Sequence, residues 1–504
     1  MALSRSIKSR LTFETVSALL VIGFGLVLRL RLFVLNISFW LDEAMLALNI
    51  VNRGFISLIK PLDYEQGAPL GFLWIAKLFE SILGNHETSL RLFPFLAGCL
   101  GLILLWRVAR QFIAPVGVLF ALLIFASSRH ILSYSVQFKQ YAVDVTVTLL
   151  LYWVGLVLLR RQLSRQDYWF TGLFGALCIW ISHPAVFTLV GVGLVVIGAR
   201  LLKKDWRNAL ALVACAFFWL INFAGLYLIQ YRNLAADNYL TDFWAEFFMP
   251  VTAAAPGWIL DRLVGLFYNP GGMSTDIFPV VIMLLTFAGM LSLFIREKRW
   301  IWMFALSLVF TLAASSLHKY PFGGRMGMFA VPGLLICAGE GLELLRRPFC
   351  SRPWLGWVVG LALTGVLTYA SFSFALEMVV RPKMTENIAP TMSFLKTNYR
   401  AGDVIYLYYN SLPAFRYYAP KYGLAGAVLL NGVDSHTNRP GYQAEVDQLR
   451  GNKRVWFLFS HLTDYEYLDD RDFILNYAGQ FGSKKREFND PGTAVNLYLY
   501  DLAP

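Results

Sequence analysis

What most limits how this chain can fold is a series of about eleven apolar runs, most of about 17 to 25 residues, the length that crosses ~30 Å of hydrocarbon. They fall at about 13–35, 90–106, 114–127, 143–159, 168–182, 185–202, 209–229, 277–295, 300–317, 327–345 and 354–377. Basic residues gather at every second junction: Arg5, Lys8 and Arg10, then Arg107 and Arg110, Arg160, Arg161 and Arg165, Lys203, Lys204 and Arg207, Arg296, Lys298 and Arg299, and Arg346, Arg347 and Arg352. Positive charge favours the cytoplasmic side, so the N-terminus is expected inside and, with an odd number of spans, the C-terminal end outside. Topology also accounts for the net charge of +12. No basic run is interleaved with exposed aromatics outside the spans, so nucleic-acid binding is not expected. The first apolar stretch is too long for a signal-peptide core and no small-residue cleavage site follows it, which predicts a retained span.

Composition changes from about residue 383. MSFLKTNY and LPAFRYYAPKYG read as helices; DVIYLYYN, KRVWFLFS and AVNLYLYDL read as strands. Alternation of this kind predicts a small α/β domain over 381–504, behind a transmembrane domain over 1–380. It carries neither a phosphate-loop glycine pattern nor a hydrolase elbow, which leaves a role as a lid or an acceptor-docking surface. Four of the five cysteines, Cys99, Cys178, Cys215 and Cys337, lie in apolar runs and Cys350 in a basic inner loop, so the outer parts are expected to fold without disulfides. No His/Asp cluster has ligand spacing, and a divalent metal is possible but unsupported.

Chemistry-bearing residues collect at the outer ends of the spans. Asp42 and Glu43 follow the first span directly, where two partly desolvated carboxylates are costly. Asp42 suits the cap of a helix from Glu43 to Asn52, and a carboxylate held there is also placed to act as a general base. Lys139, Tyr141 and Asp144 stand near the start of the fourth span; Lys139 is either a snorkelling interface residue or a phosphate partner, and Asp144 lies one turn inside the apolar run. His318, Lys319 and Arg325 form a cationic cluster on the outside, against the topological bias, with Gly323-Gly324 allowing close backbone approach. A phosphate suits that cluster, as do lipid headgroups. His183-Pro184 interrupts the span hairpin and reads as structural. The outer segments at about 36–88 and 230–275 read as juxtamembrane; LTDFWAEFFMP is amphipathic and LDRLVGLFYNP suits the interface.

The DE pair after the first span, an x-x-P-L-x-x-x-L segment, G-N-x-E-x-x-x-R-L-x-P ahead of the second span and a later K-x-Y-x-x-D together resemble the GT-C membrane glycosyltransferases, over about residues 10–345. The resemblance is nearest to the protein-mannosyltransferase and aminoarabinose-transferase group. It implies a sugar donor carried on polyprenyl phosphate, with Asp42 at the catalytic acid position and Glu43 its neighbour. The donor-facing loop maps onto Tyr64 to Leu70. That family often has Lys or His before two prolines there, whereas this chain has Gln66, Gly67, Ala68 and Pro69, so phosphate contact must be weaker or come from elsewhere. Related sequences often carry Glu at the position of Gln137, leaving Asp144 the acid of that loop.

The expectation is a polytopic α-helical membrane protein with a soluble C-terminal α/β domain. It would move a sugar from a polyprenyl-phosphate donor to an extracytoplasmic lipid, glycan or protein, with inversion at the anomeric carbon. Catalysis would fall to Asp42, Glu43 and Asp144; donor contacts would fall to Lys139, Tyr141, Lys319, Arg325, His318, Tyr64 and Gln66. The expected location is the bacterial inner membrane, among membrane lipids. A transporter or flippase of lipid-linked sugars and a non-catalytic envelope assembly protein are the rival readings; the absence of an internal repeat speaks against the former.

Overall fold

The computed structural model describes residues 13–234, 238–272, 278–382, 384, 386–462 and 469–503. In chain order, the membrane part begins with Phe13–Leu35 (α1), Leu41–Asn52 (α2), Leu70–Leu83 (α3), Glu87–Ala109 (α4), Pro115–Ser127 (α5), Arg129–Tyr134 (α6) and Tyr141–Arg160 (α7). Arg165–Ile181 (α8), Ala185–Leu202 (α9) and Trp206–Leu226 (α10) follow; a π turn then leads into Arg232–Leu234 (α11). Next come Asn238–Phe243 (α12), Ala255–Tyr268 (α13), Phe278–Arg296 (α14), Lys298–Ser316 (α15), Val331–Arg346 (α16) and Pro353–Val380 (α17). All eleven apolar runs are helical over their described residues. Eight are long and apolar enough to cross a membrane, α5 and the described part of α14 are shorter apolar helices, and α8 has 17 residues. The chain is an integral membrane protein.

Proline and polar caps set the ends of these helices. Pro115 opens α5, where its missing N–H costs nothing. Ser164 and Asp167 form a capping box at the start of α8. Pro184 cannot continue α8 and starts α9 instead. Small residues let the helices approach closely: a methyl group at Gly289 or Gly341 would strike the carbonyl of Cys337 or Leu285 across the α14–α16 contact. Several charges inside the bundle are partnered. Arg29 of α1, fully buried, donates to the Phe125 carbonyl at 3.1 Å and the Ala126 carbonyl at 3.3 Å, at the negative end of α5. Buried Glu340 and Glu343 of α16 meet Arg296 at 2.7 Å and Arg346 at 2.6 Å.

Beyond α17 lie Ala389–Asn398 (α18), Val404–Leu407 (β1), Leu412–Tyr418 (α19), Val428–Asn431 (β2), Arg439–Asp447 (α20), Val455–Phe459 (β3), Asp470–Ala478 (α21), Ser483–Asn489 (β4) and Asn496–Asp501 (β5). The sheet order is β2-β1-β3-β5-β4; β1 is parallel to β2 and β3, and β5 is antiparallel to β3 and β4. Every residue of β3 is buried, as a central strand covered on both faces requires. On one face Tyr406, Phe457, Phe459 and Tyr500 pack with Tyr442 of α20 and Ile474 of α21. On the other, Ile405, Leu407, Trp456 and Leu458 join α18, α19, Phe39 and residues of α2 and α3 in one continuous core. The pleat therefore gives the sheet one face of its own and one face that docks on the membrane part.

Candidate active site

After α1 the chain runs extended and turns into α2 at Leu41. Trp40, not Asp42, occupies the cap position, and it makes no side-chain cap bond. Asp42 sits inside the first turn instead. Its carboxylate accepts a 2.7 Å hydrogen bond from Arg325 Nη1, and Lys139 Nζ stands 3.8 Å from the same oxygen. Burial alone would make the carboxyl harder to ionise, but Lys139 and Arg325 outweigh it and hold Asp42 below the usual carboxylate range.

Three segments deliver these groups. Arg325 follows Gly323 (φ 146°) and Gly324 (φ 48°), in the left-handed region that glycine tolerates. A side chain at Gly323 would collide with the Phe247 ring. The guanidinium lies over the rings of Trp244 (5.3 Å) and Tyr141 (5.8 Å), which fix its plane. Lys139 precedes α7 and is 5% exposed; burial pushes its ammonium down to about 8, against the pull of Asp42. It also donates to Gln66 Oε1 at 2.8 Å, and Gln66 Nε2 donates to the Tyr64 carbonyl at 3.1 Å. The Tyr64–Leu70 loop, which lacks a cation of its own, thus receives one from the loop before α7. Tyr64 and Glu65 hold that loop with φ of 63° and 48°.

These residues line a cavity of about 630 Å³ at the end of the bundle that meets the C-terminal domain. Asp42, Tyr64, Gln66, Lys139, Tyr141, His318, Lys319 and Arg325 all reach its wall. Much of the remaining wall is aromatic: Trp40, Phe187, Phe223, Tyr227, Tyr231, Tyr239, Phe243, Trp244, Phe248 and Tyr320. His183, read from the sequence as structural, also lines it; its ring meets Tyr231 edge-on at 5.1 Å. Asn410 and His461 enter from the C-terminal domain.

Two of the sequence candidates lie elsewhere. Glu43 is 1% exposed and points away from the cavity, bound by Arg91 Nε at 2.8 Å and Nη2 at 2.6 Å. Its Oε1 also accepts the Phe138 amide. Asp144 is buried one turn further along α7, outside the cavity wall. The G-N-x-E-x-x-x-R segment proves to be a set of contacts. Arg91 serves Glu43, Asn85 accepts from the Tyr417 hydroxyl at 2.6 Å, and Glu87 meets Lys421 at 3.3 Å. Those last two partners belong to α19 and the turn after it. The aromatic wall and His461 carried no signal beyond aromatic content, because they come from six separate segments. Among the described residues no group of three or more His, Cys, Asp or Glu could hold a metal ion.

The fold is similar to that of solved ArnT structures. The chain superposes on crystal structures of ArnT from Cupriavidus metallidurans, in the apo state and bound to undecaprenyl phosphate. Each has a TM-score of 0.55 and 14% sequence identity, over 95% of this chain and 97% of that one. The archaeal oligosaccharyltransferase AglB from Archaeoglobus fulgidus, in complex with an inhibitory peptide and a dolichol-phosphate, aligns over 87% of this chain and 69% of its own at 10% identity and a TM-score of 0.47. The family model for dolichyl-phosphate-mannose-protein mannosyltransferase matches residues 67–224. No curated protein sequence matches the chain.

Proposed function

We propose that this protein transfers a sugar from a polyprenyl-phosphate donor to an extracytoplasmic acceptor, inverting the anomeric carbon. The observation that carries this reading is one carboxylate, Asp42, held by Arg325 and near Lys139 in an aromatic-walled cavity at the membrane edge. Two cations around one anion form a site that a donor phosphate can enter by exchange. When the phosphate takes Arg325 and Lys139, Asp42 loses the charges that keep it a weak base, and its affinity for a proton rises. The base is thereby strengthened only once the donor is bound. The acceptor hydroxyl or amine then gives its proton to Asp42 and attacks the anomeric carbon, and the polyprenyl phosphate leaves with the bonding electron pair against Arg325 and Lys139. Lys319 and His318 extend the cationic rim, while Tyr141, Tyr64 and Gln66 set the shape around it. Asp144 and Glu43 support the site from behind.

The family match over 67–224 and the ArnT fold, one of whose structures holds undecaprenyl phosphate, both support this donor class. The cavity opens toward the C-terminal domain, which fits a bacterial inner-membrane protein with a cytoplasmic N-terminus and domain 381–504 outside. The test is transfer of a radiolabelled sugar from synthetic polyprenyl phosphate by purified protein in lipid nanodiscs, paired with mass spectrometry of envelope lipids, glycans and proteins from cells with and without the chain. Labelled product must form with the wild type; its absence across polyprenyl donors, with no change in the envelope, overturns the reading.

A further inference from the structure

Asn410 and His461 reach the cavity from the C-terminal domain. Asn410 follows β1 and His461 follows β3, so both leave the carboxyl ends of paired parallel strands, the edge at which α/β sheets present binding groups. His461 has a φ of 51°, a left-handed conformation that a non-glycine residue keeps only where its surroundings enforce it. Those surroundings are specific. Its Nδ1 lies 2.8 Å from Glu386 Oε1, the Asn410 side chain donates to its carbonyl at 3.2 Å, and the Trp40 ring lies 6.3 Å away. The other oxygen of Glu386 accepts the Leu41 amide at 3.1 Å. Leu41 opens α2 and Asp42 follows it. One carboxylate therefore ties an imidazole of the C-terminal domain to the helical turn that carries Asp42.

We propose that His461, oriented by Glu386, is a positioning residue that the C-terminal domain supplies to the cavity: it fixes the first turn of α2 and sets a third positive charge, beside Arg325 and Lys139, against Asp42. The proposal rests on the reading of Asp42 as the reactive carboxylate. Glu386 and Asp42 are the charged groups that act on the imidazole; Lys139, Arg325 and His461 are those that act on Asp42. Burial disfavours the imidazolium, but Glu386 and then Asp42 outweigh it and raise His461 above the ordinary histidine range. Docking of the C-terminal domain thus sets how readily the carboxylate in the membrane part takes up a proton.

The test follows the Asp42 carboxyl directly, by carbon-13 NMR of the full chain in nanodiscs, with the resonance assigned by its loss in Asp42→Asn. His461→Gln removes the charge; His461→Lys keeps a cation. The midpoint should rise in the Gln variant, roughly a threefold or larger gain in proton affinity, and return most of the way in the Lys variant. The acid limb of kcat/KM should move with it. An unmoved midpoint in the Gln variant, or an equal rise in both folded variants, overturns the proposal. If the wild type makes no product, the functional reading fails while the carboxyl titration still decides this one.

Discussion

Arg325 Nη1 and Asp42 Oδ2, 283 positions apart in the sequence, are joined at 2.7 Å in the cavity wall. Asp42 comes from the first turn of α2 and Arg325 from the turn before α16. In the proposed reaction this pairing puts the cation for the leaving phosphate and the carboxylate for the acceptor on the same hydrogen bond, which would couple donor binding to base activation.

Asp42→Asn keeps the size and removes the charge. Folding should persist, because Arg325 retains stacking on Trp244 and Tyr141. Transfer should fall by about 10²–10⁴-fold, the usual contribution of a positioned base. The measurement is single-turnover transfer at saturating donor, and near-normal turnover by the variant would remove Asp42 from the chemistry.

Arg325→Ala should weaken donor binding by roughly ten- to a hundred-fold, from loss of a charge-assisted contact of about 1.5–3 kcal/mol. Arg325→Lys should recover only part, since the planar fork is gone. Acceptor KM at saturating donor should stay nearly constant. A donor KM within about twofold of wild type in the Ala variant assigns Arg325 to headgroup contact instead.

The Glu43–Arg91 pair lies apart from the cavity wall, and breaking it should cost stability. Leaving one charge buried alone costs about 3–5 kcal/mol. Arg91→Ala should therefore lower folded yield and the unfolding midpoint in detergent, and any surviving folded protein should turn over close to normally per molecule. A stable, well-folded Arg91→Ala protein with abolished turnover gives the pair a catalytic role.

Much of this was legible in the sequence, and the remainder has definite physical reasons. The spans announce themselves because hydrocarbon demands long apolar runs. Asp42, Lys139 and Arg325 stand out because charge at the outer membrane edge asks for a partner. Sequence spacing cannot say which partner: that Glu43 takes Arg91, that Lys139 fills the cation gap at Gln66, or that Arg29 is held by the end of α5. The edge strands β2 and β4 are largely exposed, whereas β1, β3 and β5 are buried almost throughout, and the edge strands went unread. His461 gave no signal at all, since its place depends on how the sheet docks on α2.

Topology offers an independent check. Reporter fusions after Arg207 and after residue 504 should fall on opposite sides of the membrane, the first inside and the second outside. Fusions on the same side contradict the eleven-span arrangement, and with it the approach of His461 to Asp42.

Lys139 gives the sharpest dependence on pH. Burial lowers its ammonium to about 8, so in the free protein it is charged below that pH and neutral above it. A sugar phosphodiester has no ionisation in this range, so the ligand's charge stays constant. If Lys139 binds the donor phosphate, affinity should be level up to neutrality and then fall as pH rises through about 8, by at most roughly tenfold per pH unit. Arg325 stays charged throughout and sets the affinity that remains at high pH. Lys139→Arg should flatten the profile, because guanidinium does not titrate there. Lys139→Met should lower affinity at neutral pH and also abolish the slope. The measurement is donor dissociation constant against pH from about 6 to about 10, by calorimetry in nanodiscs. A flat wild-type profile removes Lys139 from the phosphate site, and a slope that persists in Lys139→Arg assigns the titration to another group.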